Sequence, residues 1–201
     1  MKPMKKRTKL SLSEVETQME VLTKEEMNAL KGGIGDIIID PSGIVAELKQ
    51  TLMQRINTFQ TLLSNASMTD ETRGAFENTI REYQSALNEI TQLEQSAEEY
   101  YISYGSEANT EYKNGAVYST VPYGDRGLTG HELKHMHQYH TGEIVRGDES
   151  STYDIQDEIG AYRRQDIINK GPEYFIFQLE RTAEQIRSMI DEKGSQPYIH
   201  L

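Results

Sequence analysis

Cysteine and tryptophan are absent from the 201 residues of this chain, and proline occurs only five times. Without cysteine the protein forms no disulfides and offers no thiolate to a metal, so any metal site must use histidine and carboxylate side chains. The compartment stays open, because exported proteins can lack cysteine as well. Long apolar runs are also lacking: residues 174–177 are among the longest, whereas a membrane span needs about 20 apolar residues.

Positive charge is scarce in most of the chain. The formal net charge is −11, from 21 Lys and Arg against 32 Asp and Glu. Residues 1–33 carry seven basic and five acidic residues, so the remainder carries 14 basic and 27 acidic residues. Such an acidic body argues against nucleic acid and anionic membranes as partners, and gives at most a weak preference for cationic substrates.

Histidine is concentrated in one stretch. Residues 126–143 hold four of the five histidines, and His131, Glu132 and His135 form an H-E-x-x-H motif. Residues four apart lie on one face of a helix, so both histidines can present a ring nitrogen to one ion. Glu132 projects beside that ion, where it can take a proton from water. Zinc is expected, because it suits neutral imidazoles and the motif leaves positions open for water and substrate.

Two simpler interpretations compete with a metal site. Glu132 follows Thr129 by three residues, and Thr-x-x-Glu is also the pattern of a capping box at a helix start. This capping box explains neither histidine. The clustered histidines could alternatively form a solvated helix face or an adventitious metal patch.

The third ligand is expected on the next helical segment, which contains Asp154, Asp157 and Glu158. Helical spacing places Asp154 and Glu158 on one face and Asp157 to its side, so Asp154 is a rival to Glu158. Tyr162 and Gln165 follow Glu158 on the same face.

The sequences HELKHMHQ and DEIGAYRRQ together resemble the active-site helix and the following glutamate helix of gluzincin-type zinc metallopeptidases. The two-part resemblance, to HELxHxxQ followed by DExxAYxxQ, is much more specific than H-E-x-x-H alone. It implies His131, His135 and Glu158 as zinc ligands and Glu132 as the general base of peptide-bond hydrolysis. His137 departs from the family pattern, in which an aromatic residue is more usual at this position.

Other residues near the motif are candidates for supporting roles. Tyr162 is expected to be catalytic by steadying the oxyanion, with His137 and His140 as alternatives. Gln138, one turn beyond His135, and Gln165, two turns beyond Glu158, are candidates for hydrogen bonds to the metal ligands.

The first 33 residues differ from the rest. Their end, LTKEEMNALKGG, resembles the double-glycine leader of exported bacteriocins and other ribosomal natural-product precursors. Counted back from the cut after Gly33, the fourth, seventh, twelfth and fifteenth positions are apolar: Leu30, Met27, Leu22 and Met19. The resemblance implies that a peptidase-containing ABC exporter cleaves after Gly32-Gly33 and that the protein is secreted. The simpler interpretation is an ordinary amphipathic helix that ends at glycine.

The remaining pattern predicts a mostly helical fold. Apolar residues recur at helical spacing over 44–63 and 76–93, on either side of a polar break, and predict an antiparallel helical hairpin. Short β-rich runs at 100–104 and 116–121 predict a small sheet. Zincins place a strand just upstream of the H-E-x-x-H helix, and residues 116–121 are the candidate for pairing with a peptide substrate. A last helix is expected after Gly171-Pro172, with an aromatic face in the core.

The sequence therefore predicts an α+β, mostly helical fold: a zincin-like domain with an N-terminal helical hairpin and a small β-sheet. Its expected divisions are a leader at 1–33, a linker and helical hairpin at 34–99, and a metallopeptidase core with a C-terminal helix at 100–201. The expected function is an exported zinc metallopeptidase that acts on a peptide or protein. The alternative is a non-catalytic secreted precursor, effector or binding protein with a structural or vestigial zinc site.

Overall fold

The computed structural model describes residues 38–146 and 154–192. In chain order the elements are β1 (Ile38–Ile39), α1 (Ile44–Asn65), α2 (Asp70–Glu94), β2 (Tyr100–Tyr104), β3 (Asn109–Lys113), β4 (Ala116–Val121), α3 (Arg126–Thr141), α4 (Ile155–Lys170), α5 (Glu173–Ile176) and α6 (Ala183–Glu192). The described chain is mostly helical with a small four-stranded sheet, which confirms the predicted α+β fold class. The proposed leader, with Gly32 and Gly33, lies outside the described residues.

Helices α1 and α2 form the predicted antiparallel hairpin. At one end the Lys49 ammonium lies 2.7 Å from the Glu94 carboxylate, and at the other the Arg73 guanidinium donates to the Leu63 carbonyl at 3.3 Å. Thr69 caps α2, since its side chain accepts a hydrogen bond from a backbone N–H of the first turn. The apolar face of the hairpin belongs to the same hydrophobic core as the sheet, α3 and α4.

The sheet has the strand order β1-β2-β4-β3, with β1, β2 and β4 parallel and β3 antiparallel to β4. Strand β3 was not predicted, because only Thr110 and Tyr112 of its sequence NTEYK are typical strand residues and the other three residues are depleted in strands. The signal for it was Asn114-Gly115, a two-residue turn with both φ angles positive that joins β3 to β4. Strand β4 lies inside the sheet between β2 and β3, so the expectation that residues 116–121 offer a substrate edge is wrong.

Helix α3 begins before the H-E-x-x-H motif. The Asp125 side chain caps it by accepting a backbone N–H, so the capping-box interpretation of Thr129 and Glu132 is wrong. Thr129 lies inside the first turns, and its hydroxyl donates to the Asp125 carbonyl. Gly142 ends the helix, as predicted, with a left-handed backbone at φ 80°.

The expected last helix is interrupted. Helix α5 has only four residues, and Gln178 then takes a left-handed conformation at φ 50° before α6 begins. Phe177, expected on a core face, is 64% exposed, whereas Tyr174 and Ile186 are buried. The expectation of one continuous aromatic helix is therefore wrong.

None of the helices in the described ranges combines the length and the apolar character that a membrane crossing requires.

Candidate metal centre

Side chains of α3 and α4 converge at a buried point between the two helices. The Nε2 atoms of His131 and His135 lie 3.0 Å apart. The carboxylate of Glu158 lies 3.5 Å from His131 Nε2 and 3.3 Å from His135 Nε2. All three residues are buried, and their ligand atoms lie within 4.8 Å of one another. This group can hold a metal ion.

The spacing of these atoms fits a small divalent cation. Ligands about 2.0–2.1 Å from a tetrahedral ion are about 3.3 Å from each other. The two imidazole nitrogens lie 3.0 Å apart and lie 3.5 and 3.3 Å from different oxygens of Glu158, so the group has the size that such an ion requires. Burial, reinforced by the charge of His135, lowers the pKa of His131 to about 3, so this imidazole is in the neutral form that binds metals. Burial also lowers the pKa of His135, but the hydrogen bond and charge of Glu158 outweigh it and the net direction is upward.

Two glycines of α3 allow α4 to approach closely. A Cβ at Gly130 would lie 2.1 Å from the Ile168 side chain, and one at Gly127 would lie 2.3 Å from the Asn169 amide. Both distances are far below van der Waals contact, so a larger residue at either position would force the Ile168 or Asn169 side chain to move. These glycines thus help to hold the glutamate helix against the histidine helix.

The start of α4 decides which acidic residue joins the histidines. Asp154 is the N-cap: its Oδ1 accepts the backbone N–H groups of Gln156 and Asp157. The Asp157 side chain in turn accepts the Asp154 N–H at 2.9 Å, which completes a capping box. Both aspartates are thereby engaged with backbone, and Glu158 is the acidic residue that reaches the histidines.

Gln138 positions one ligand as predicted. Its Oε1 lies 2.8 Å from His135 Nδ1, so an Nδ1–H donates to it and Nε2 is the ring nitrogen that faces His131 and Glu158. The Gln138 amide also donates to the Asp157 carbonyl and ties α3 to α4. Gln165 lies near His131 and acts to raise its pKa, against the larger lowering effect of burial. Among the described residues, His131 Nδ1 and Gln165 Oε1 have no hydrogen-bond partner.

Glu132 lies beside the three ligands and outside their group. Its Oε2 accepts a 2.7 Å hydrogen bond from the Thr110 hydroxyl on β3, and Thr110 also contacts the Ser119 hydroxyl on β4. Burial raises the pKa of Glu132 to about 7, although His135 and the Thr110 hydrogen bond act in the opposite direction. Neither hydroxyl residue was predicted as part of the site. The strand that carries Thr110 was missed, and Ser119, on the predicted strand 116–121, contacts Thr110 and was therefore missed with it.

Tyr162 lies next to His131, as its position on α4 predicts. The two rings meet edge to face with centroids 4.7 Å apart. The Arg181 guanidinium lies 5.1 Å from the centroid of the Tyr162 ring and donates two hydrogen bonds to Asp166. Burial raises the pKa of Tyr162, so its hydroxyl is protonated at neutral pH and can donate a hydrogen bond.

His137 and His140 point away from the metal group, so the expectation that either could steady an oxyanion is wrong. His137 Nε2 lies 2.8 Å from the Gln92 side-chain carbonyl on α2. His140 Nδ1 lies 3.0 Å from the Tyr100 hydroxyl on β2. The helical phase of α3 separates these two residues from the face that carries His131 and His135.

No protein-family model matches the chain, and comparisons with curated proteins and with solved structures gave no match. The functional argument therefore rests on the residues of the site and their geometry.

Proposed function

We propose that this chain is a zinc-dependent metallopeptidase that hydrolyses peptide bonds, with Glu132 as the general base. The observation that carries the proposal is a buried carboxylate beside a two-histidine, one-glutamate metal group to which it does not belong. A structural zinc site is closed by four protein ligands, whereas three residues converge here and the fourth acidic group lies outside them. Burying it is costly, which favours a catalytic role for it.

Zinc is the metal proposed. Two neutral imidazoles and one carboxylate, with no thiolate, form the ligand set of catalytic zinc sites that keep one position open. When bound, zinc supplies a Lewis acid that polarises a carbonyl and lowers the pKa of water. His131, His135 and Glu158 hold the ion in this proposal.

The chain's own residues then handle the protons. Glu132 accepts a proton from the attacking water and later passes it to the nitrogen of the leaving amine, so its carboxylate is regenerated. In the metal-free site burial raises the pKa of Glu132 to about 7; a bound dication would lower it and so keep the carboxylate in the ionised form that accepts a proton. Tyr162 is proposed to donate a hydrogen bond to the developing oxyanion, since its phenol adjoins His131.

Substrate binding is proposed along β3. Among the described strands β3 pairs with β4 alone, so its second edge can take an extended peptide by backbone hydrogen bonds. Thr110 lies on this strand and contacts Glu132, so a peptide paired there would pass close to the general base. The proposed substrate is therefore a peptide or a protein segment in extended conformation.

The proposal also covers the protein family to which the chain belongs and its export from the cell. We assign the chain to the zincin metallopeptidases on the HELxHxxQ and DExxAYxxQ resemblance, and to the secreted proteins on the Gly32-Gly33 leader. A peptidase-containing ABC exporter is the proposed partner of the leader. Both assignments rest on sequence motifs.

Glu132→Gln is the experiment that tests the enzyme. The amide is nearly isosteric with the carboxylate but accepts no proton, so peptide hydrolysis should fall by roughly 10²- to 10⁴-fold. Zinc content and melting temperature should stay close to those of wild type. Leaderless protein is assayed on a peptide library with and without a chelator, and Glu143→Gln, which changes an exposed glutamate just after α3, is the matched control.

The result can also favour the alternative. If wild type and Glu132→Gln are equally inactive on every peptide but bind zinc equally, the protein is a non-catalytic precursor, effector or binding protein with a structural zinc site. If purified protein contains no zinc at all, the buried contact between His135 and Glu158 is an ion pair.

The leader is tested separately by mass spectrometry of the secreted protein. Cleavage after Gly33 predicts a mature N-terminus at Ile34. A product that keeps residues 1–33 and stays in the producing cell would contradict both the cleavage and the secretion.

A further inference from the structure

We infer that Thr110 is a positioning residue for Glu132: its hydroxyl holds the glutamate carboxylate at the metal group, and Ser119 orients that hydroxyl. The inference rests on the proposed peptidase function, because it concerns the group assigned as general base. It adds two residues from the sheet to a site that the sequence placed entirely on two helices.

The contact between the two hydroxyls follows from the register of the hairpin. Thr110 lies directly opposite Ser119 in the β3–β4 pairing. The two-residue turn pairs Lys113 with Ala116 through backbone hydrogen bonds, and alternation then makes the Thr110–Ser119 pair a non-hydrogen-bonded one. Side chains are closest in such pairs, which explains the hydrogen bond between the two hydroxyls.

The direction of the hydrogen bonds is set by the carboxylate. An ionised Glu132 only accepts, so Thr110 donates its single proton to Oε2 and can receive one from Ser119. Thr110, Ser119 and Glu132 are all buried, with exposed fractions of 4%, 2% and 3%. Water therefore does not compete easily for Oε2. The hydrogen bond fixes one carboxylate oxygen and leaves the other for the reacting water.

Removing this donor should lower turnover more than substrate binding. A hydrogen bond to a charged group is stronger than one between neutral groups, and its loss leaves the carboxylate poorly positioned, so Thr110→Val should lower kcat roughly 10- to 100-fold. KM should change little, because valine keeps the backbone that a peptide would pair with. Thr110→Ser restores the hydroxyl and should recover kcat to within a few fold. Ser119→Ala should give a smaller loss than Thr110→Val.

Thr79→Val is the matched control. Thr79 is also fully buried, but its hydroxyl donates to the Ala75 carbonyl within α2. It tests what a buried Thr-to-Val change does by itself, and it should leave kcat unchanged. Zinc content and melting temperature are measured for every variant to exclude loss of the fold or of the metal.

A second measurement does not depend on activity. In metal-free protein labelled with ¹³C at the glutamate carboxyl carbons, the Glu132 signal is identified by its absence in Glu132→Gln. At an alkaline pH where this signal no longer moves, Thr110→Val should shift it and Thr79→Val should not.

The outcomes separate this inference from the function on which it rests. An active wild type with a Thr110→Val variant of unchanged kcat overturns the role of Thr110 and leaves the peptidase intact. An inactive wild type overturns the peptidase, and the carboxyl signal then decides whether Thr110 holds Glu132. A signal unmoved by Thr110→Val overturns the inference in either case.

Discussion

Helix α3 buries charged side chains on two faces, and the faces differ in how their charges are balanced. On the metal face, defined by His131 and His135, two imidazoles meet the Glu158 carboxylate. On the ion-pair face, Lys134 lies 3.3 Å from the Glu89 carboxylate. Both faces also receive a residue from α4.

The ion-pair face is electrostatically complete. Arg164 from α4 lies 3.0 Å from Glu89, so this single carboxylate has two permanent cations. Burial raises the pKa of Glu89, but the charges of Arg164, Lys134 and His137 outweigh it and the pKa is lowered overall. Every strong charge there has a partner within the protein.

The metal face is different because ligand atoms of two histidines and one glutamate converge there. Burial is the largest influence on two residues here, lowering the pKa of His131 to about 3 and raising that of Glu132 to about 7, whereas the pKa of His135 is raised because Glu158 outweighs burial. The comparison shows that burial of charge alone does not identify a site. The informative feature is a buried group of ligand atoms that a cation from solution would complete.

The largest expected difference between the faces is in metal content. Purified wild type should carry about one zinc per chain, and His135→Ala should carry nearly none because it removes one of three protein ligands. His137→Ala, on the same helix but bonded to Gln92, should keep its zinc. Metal analysis after gel filtration gives the answer. Zinc retained in His135→Ala and lost in His137→Ala would reverse the assignment of the two faces.

The next largest effect is a loss of stability, which is expected for a change on the ion-pair face. Glu89→Ala leaves the buried Arg164 and the half-buried Lys134 without their shared carboxylate, so it should destabilise the protein by on the order of 3 kcal/mol. It should not change zinc content. Urea unfolding is measured for the metal-free wild type and variant. The control is Glu94→Ala, which removes the carboxylate of a more exposed ion pair with Lys49. Equal stability of Glu89→Ala and wild type would mean that the ion-pair face is not balanced as described.

The smallest effect is a pH dependence. Because the pKa of Glu89 is lower in the folded than in the unfolded protein, its contribution to stability is complete above the unfolded value near 4.3 and is lost as the pH falls toward the folded value. Metal-free wild type should therefore lose more unfolding free energy between pH 6 and pH 3 than Glu89→Gln does. Equal losses would show that Glu89 is not stabilised as a carboxylate. The pH values span about the usual range of glutamate titration.

The local periodicity of the sequence was sufficient for much of the fold. The apolar spacing of α1 and α2, the break between them and the strands β2 and β4 were all predicted, because each depends on neighbours a few residues away. The spacing of His131 and His135 likewise required them to share a face. Gly142 as the end of α3 follows from its backbone freedom alone.

The sequence could not decide features that depend on contacts between distant segments. Asp154 and Glu158 were equivalent in helical phase, and only the cap at the start of α4 engaged one and left the other to the histidines. The break between α5 and α6 was hidden by an aromatic pattern that suits one helix, and packing places Phe177 at the surface.

The sheet provides the clearest division between sequence and structure. By itself, the sequence determined that His131 and His135 would share a helix face with Glu132 next to them in the chain, because positions four apart lie about one turn apart. Only the tertiary structure decided what holds Glu132, because Thr110 is 22 residues away and reaches it from a strand of which three of five residues are depleted in strands. That strand forms because β4 offers it a partner, and such pairing is a property of the assembled sheet.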